Sequence, residues 1–145
     1  MSVTYIPAEL RRLVVSRAEG ICEYCLIAEA DTFFGCAADH IISEKHGGAT
    51  DAANLAYACV TCNQAKGSDL GSIDWATDAL VRFFHPRRDK WSEHFRLRGD
   101  ELQPLTPIGI VTARILGFNS FERRLERRAL IDAGCFPPLA ARQRM

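Results

Sequence analysis

Leu10, Leu13, Val14 and Ala18 recur at the three- and four-residue spacing of one helix face, behind Pro7 and ahead of Gly20. A helix from Ala8 up to Gly20 follows, because proline suits a first helical turn and glycine the C-terminal cap. The stretch from Phe33 to Ile42 alternates weakly and predicts a hairpin. Gly47-Gly48 marks a loop, and Thr50-Asp51 offers a cap for a short helix through Leu55 and Tyr57. Ser72 or Asp74 starts a helical pattern from Trp75 to Phe84, ended by Pro86. Phe95 to Leu105 reads as two short strands about Gly99-Asp100.

Thr106 before Pro107 is an N-cap followed by an N1 proline, and Ile108, Val111 and Ile115 give that helix an apolar stripe up to Gly117. Asn119 with Glu122 three residues on resembles a capping box and opens an arginine-rich helix ending near Gly134. Helices outweigh strands, and neither a repeat nor a linker interrupts the chain. The expected fold class is α+β in a single domain, 1–145.

Composition narrows the class. The chain has 145 residues, 48% hydrophobic and 25% charged, enough to bury a core. No apolar run approaches the roughly 20 residues of a membrane span. Met1 to Pro7 lacks the blocks of a signal peptide, so a cytoplasmic location is expected. Six cysteines in that setting need a use other than disulfides.

Four of them form two Cys-x-x-Cys pairs, Cys22/Cys25 and Cys59/Cys62. This spacing lets two thiolates and the intervening amides wrap one tetrahedral ion, and Zn²⁺ suits four sulfurs at about 2.3 Å. An iron–sulfur cluster also uses four thiolates, whereas redox-active pairs usually stand singly in a βαβ setting. With all four positions taken by cysteine the zinc site is closed, hence structural. Cys36 and Cys135 are expected as small core residues.

Between and after the pairs stand Asp39-His40-Ile41, Gly47-Gly48, Asn54-Leu55, Asn63 and Lys66-Gly67. This series resembles the zinc-knuckle form of the HNH endonuclease family, whose fold is a ββα-metal finger clasping a catalytic divalent ion. The motif covers Cys22 to Gly67, within a core of about 20–70. Pro86-Arg87-Arg88, Trp91 to Phe95 and Thr106 to Gly109 resemble the downstream region of a bacterial subgroup, placing a hairpin and helical extension over about 72–145.

The resemblance implies that Asp39 and Asn63 ligate the catalytic ion, His40 is the general base, and Asn54 fixes the loop and orients His40. Asn63 stands where the literal motif has a histidine. An amide oxygen favours Mg²⁺ or Mn²⁺. An imidazole, with a pKa ordinarily about 6.5, can take a proton from water at neutral pH. Adjacent strand residues point to opposite faces, so a bend or bulge must bring Asp39 and His40 to one site.

The implied substrate is DNA, expected as duplex and cut with weak sequence specificity. Lys66, His46, Arg87 and Arg88 are the expected substrate contacts. A double-strand break would need a homodimer or two encounters. A non-catalytic zinc-finger module and a nuclease toxin domain are the alternatives.

Charge refines this. The net charge is zero, yet residues 1–81 carry 5 Lys+Arg against 11 Asp+Glu, and residues 82–145 carry 13 against 7. A basic second half can offer DNA a face despite the neutral total. Arg123, Arg124, Arg127 and Arg128 would either track phosphates or pair with Glu122 and Glu126 on a solvated face. His85 and His94 read as structural.

Overall fold

A computed structural model of the chain describes residues 5–145. Residues 1–4, part of the Met1–Pro7 stretch, therefore lie outside the described residues. Helix α1 spans Ala8–Ala18 and ends in left-handed residues, Glu19 at φ 56° and Gly20 at φ 68°. Strands β1 (Cys36–His40) and β2 (Leu55–Cys59) pair antiparallel, Cys36 opposite Cys59 and His40 opposite Leu55. Helix α2 (Val60–Lys66) follows β2 directly, which completes a ββα unit. Two further hairpins follow, β3 (Gly71–Asp74) with β4 (Ala79–Arg82), and β5 (Phe95–Arg98) with β6 (Glu101–Pro104). The short helix α3 (Trp91–His94) precedes β5, and α4 (Pro107–Ile115) and α5 (Phe121–Asp132) lead to a final 3₁₀ turn, Leu139–Arg144.

The mixed class of helices and small antiparallel sheets agrees with the sequence, as do α1, the Gly99 hairpin and α4. The Thr106 hydroxyl accepts from the Gly109 N–H at 3.0 Å, as an N-cap should. Several expectations are corrected. β1 pairs with β2 and not with a neighbour inside 33–42, and the helix expected through Leu55 and Tyr57 is that second strand. Asp51 does cap a turn, but the turn lasts only from Ala52 to Asn54. β2 is buried on both faces, so it lacks the polar alternation that marks a strand.

The helix expected over Trp75–Phe84 is the β3–β4 hairpin. The Asp74 carboxylate accepts from the Ala76 N–H at 3.0 Å and closes a turn that competes with helix. The cap of α5 is Ser120, bonded from the Arg123 N–H. Asn119 instead links to β6, donating to the Leu102 carbonyl at 2.8 Å and accepting from its N–H at 2.9 Å.

One core joins the ββα unit to the extension. Tyr24, Leu26, Phe84, Trp91, Phe95, Leu102, Val111 and Phe118 are all buried in it. The Phe84 and Phe95 rings meet edge to face at 5.6 Å. A second, smaller cluster packs α1 on the hairpin through Val14, Ala18, Leu55 and Tyr57. Cys36 and Cys135 are only partly buried, so neither is the core residue expected. Among the described residues no helix is long and apolar enough to cross a membrane.

Gly109 sets how closely α4 approaches α3. A Cβ there would lie 2.3 Å from the His94 carbonyl oxygen, a backbone atom with no room to yield. Gly109→Ala is expected to destabilise the chain by about 2 kcal/mol, the usual cost of overpacking. A denaturant midpoint at the wild-type value would contradict this.

Candidate active site and metal centre

The first knuckle is a tight turn after α1. The Cys22 N–H donates to Ile27, the Leu26 N–H donates to Cys22, and Leu26 takes φ 65°. The second straddles the β2–α2 junction, where the Cys59 sulfur caps α2 by accepting from the Cys62 N–H at 3.4 Å. Hairpin register thus carries Cys59 and Cys62 to the first knuckle. All four sulfurs are buried within 4.8 Å of one another, and those of Cys25 and Cys59 are 3.7 Å apart. Sulfurs about 2.3 Å from a tetrahedral zinc stand about 3.8 Å apart, so the cluster fits a structural metal such as zinc. Cys36 lies outside this group of four, and burial, then the charges of Cys59 and Glu29, push its thiol up to about 12.

Four thiolates around a Zn²⁺ would leave about two negative charges in the core, and the extension offers a cation to meet them. Arg123 is buried beside the cluster, with a guanidinium nitrogen 4.0 Å from the Cys59 sulfur and 3.9 Å from that of Cys62. Burial pulls its pKa down, but the charges of Cys25, Cys62 and Cys59 outweigh this and hold it above its usual value. Arg127 is fully buried too, donating to the carbonyls of Asp100 at 2.6 Å and Phe118 at 2.7 Å. Arg124 and Arg128 both reach Asp100, at 2.7 Å and 3.6 Å. Arg123 and Arg127 are buried structural ties, Arg123 also pairing with Glu126 at 3.3 Å, whereas Arg124 and Arg128 are exposed, as a solvated face would have them, and pair with Asp100.

The extension also grips the first knuckle. The Trp91 indole donates to the Tyr24 carbonyl at 2.9 Å, and Arg87 pairs with Glu23, which accepts from the Tyr57 N–H at 2.8 Å. Arg87 is therefore half-buried in an ion pair, whereas its neighbour Arg88 is exposed. His85 and His94 are buried, as the structural reading expected.

At the open end of the hairpin, Asp39 and His40 close β1. The ladder runs unbroken to the His40–Leu55 pair, so the expected bulge is missing and the two side chains leave opposite faces of the strand. Asp39 meets α2, where the Lys66 ammonium lies 3.4 Å from its carboxylate and donates to the His40 carbonyl at 3.0 Å. Lys66 is only 3% exposed, so it faces the strand and not solvent. Asn63 lies three residues before Lys66, hence on the same face of α2. His40 is buried toward the following loop, its Nε2 at 2.9 Å from the Thr50 hydroxyl and 3.5 Å from Glu44.

Asn54 ties that loop together. Its amide donates to the Ile42 and Ala49 carbonyls at 2.9 and 2.8 Å and accepts from the Ile42 N–H at 2.9 Å. Gly48 is required at this crossing, since a Cβ would overlap the Ile42 carbonyl at 1.7 Å. His46 is exposed in the 3₁₀ turn Glu44–His46. Glu44 was not singled out by sequence reasoning, Thr50 was read only as part of a cap, and Arg123 only as a phosphate contact or a surface partner of Glu122 and Glu126, since its sulfur partners lie some sixty residues away.

Replacing Arg123 with Met keeps the side-chain length but removes the charge that faces the thiolates. Arg123→Met is expected to cost on the order of 3 kcal/mol, as breaking a buried ion pair does. It should also lower the thermal midpoint and speed metal loss to a chelator. Unchanged melting and unchanged chelation kinetics would show that Arg123 does not compensate the cluster.

Residues 22–69 match the family described as HNH endonuclease. No curated protein and no solved structure matches the chain significantly. The matched segment runs from the first cysteine to just beyond α2, the same stretch that folds as the knuckles and the ββα unit. Over that segment, about a third of the chain, the sequence is similar to the HNH endonuclease family, a family of nucleases.

Proposed function

We propose that the chain is a metal-dependent endonuclease hydrolysing DNA phosphodiester bonds. One observation carries this reading: α2 grips the Asp39 carboxylate through Lys66 while presenting Asn63 one turn earlier on the same face, at the strand end that bears His40. Asp39 and Asn63 would hold the divalent ion, and their hard oxygens favour Mg²⁺ or Mn²⁺. When bound, that ion supplies Lewis-acid stabilisation of charge on the phosphate. His40 takes the proton of the attacking water, with Thr50 and Glu44 fixing its ring. Asn54 holds the loop that carries Thr50. A phosphodiester laid across the end of β1 would meet the carboxylate side and the imidazole side together.

Zinc in the cysteine cluster is structural in this reading, because a closed Cys₄ site leaves no position for substrate. Duplex DNA with weak sequence specificity remains the proposed substrate, and the exposed His46 and Arg88 are its proposed contacts. The products would carry 5′-phosphate and 3′-hydroxyl ends. One site cuts one strand, so a double-strand break calls for a homodimer or two encounters. A single domain over 1–145 is supported by the shared core, and six free cysteines suit a cytoplasmic setting.

A second reading, a DNA-binding module without catalysis, is favoured by the Lys66 ammonium, which already neutralises the carboxylate a divalent ion would need. Nicking of supercoiled plasmid separates the two. The wild type with Mg²⁺ or Mn²⁺ should nick, and His40→Ala, still folded and metal-loaded, should lose about 10²–10⁴-fold in rate. Equal background nicking by both across several metals would leave only the binding module.

A further inference from the structure

A cavity of about 560 Å³ lies between the end of α1, the turn that leads into α3 and the C-terminal 3₁₀ turn. Its charged lining is Arg17, Arg87, Lys90 and Arg144 against Glu23 and Asp89. Both acids are already committed. Glu23 pairs with Arg87, and Asp89 takes both arms of Arg82 at 2.7 and 2.9 Å together with the His85 N–H. Among the described residues no ion pair engages Arg17, Lys90 or Arg144. Arg17 and Arg144 are held in place by backbone carbonyls, those of Leu55 at 2.5 Å and Ala18 at 2.8 Å.

These guanidiniums are poorly satisfied. The Nε atoms of Arg17 and Arg87 are buried without a hydrogen-bond partner. Burial, reinforced by the charges of Arg17 and Arg144, brings Arg87 down to about 10. Desolvated like charges around one cavity cost free energy that an anion would recover. Three forked donors match the several oxygens of a phosphate better than the two of a carboxylate. The volume admits a phosphate with a sugar attached. Leu55, which anchors Arg17, stands opposite His40 in the hairpin ladder, so this end of the cavity lies one strand from the proposed general base.

We propose that this cavity is a phosphate-binding subsite, taking a backbone phosphodiester of bound DNA or a free phosphate group. For the DNA source the proposal rests on the nuclease reading; for free phosphate it stands alone. The site is built by the extension, α1 and the first knuckle (Glu23 and Leu26), outside the ββα unit.

The test measures binding with no divalent ion added, so a chain that never cuts DNA still reports. Thermal shift with inorganic phosphate and with a nucleoside monophosphate is compared between wild type and Arg144→Gln/Lys90→Gln. Duplex affinity across salt is measured for the same pair. Both ligands should raise the wild-type midpoint and leave the double variant unmoved. The duplex salt slope should fall by about 1–2 in the variant if a backbone phosphate occupies the site. Lost phosphate protection with an unchanged slope supports the subsite and assigns it to a free phosphate group. No wild-type shift with phosphate and an unchanged slope would overturn the proposal. Should the double variant fail to fold, Lys90→Gln alone, at an exposed position, must lower the slope by about 1 or weaken phosphate protection, and neither change would overturn it. Absence of nicking with phosphate binding intact would count against the nuclease reading alone.

Discussion

Four cysteine sulfurs are buried together at the junction of a β-hairpin and a helix, and everything around them answers to that charge. Thiolates in an apolar core are tolerable only with a cation among them and further compensation nearby. The chain supplies the second from its other half, through Arg123 of α5. The neutral total charge is thus partly an internal cancellation. Basic residues of the second half sit on acidic groups of the first, Arg123 on the knuckle sulfurs and Arg87 on Glu23.

The extension therefore has a mechanical role. Trp91 holds the first knuckle by a carbonyl, and Arg87 holds it by a carboxylate that is itself bonded to β2. The knuckles fix the relation between β2 and α2. That relation in turn sets Lys66 against Asp39, with Asn63 three residues earlier in the same helix. A fault in the cluster should be felt at the strand end through this chain of contacts.

What could be read from sequence was what depends on near neighbours. The Cys-x-x-Cys spacings, the Thr106-Pro107 helix start and the Gly99-Asp100 hairpin each carry their own local chemistry. The series from Asp39 to Asn63 was legible only as an ordered set, and the ββα unit holds that order. Partnerships across long separations were not legible. β2 looked helical because burial on both faces removed its alternation. Trp75–Phe84 looked helical because the Asp74 side chain that breaks the helix also resembles a cap. Lys66 read as a substrate contact, since nothing local reveals that it is buried against Asp39 and His40. The regular register of β1 likewise replaced the expected bulge, which puts the His40 imidazole and the Asp39 carboxylate on two sides of one strand end.

Elemental analysis of the purified, folded chain tests the centre of this picture most directly. Zinc at about one per chain is expected, retained without any added divalent ion and lost only together with the cooperative thermal transition. A chain that melts cooperatively while free of metal would contradict it, because four buried sulfurs beside Arg123 would then hold the fold together unaided.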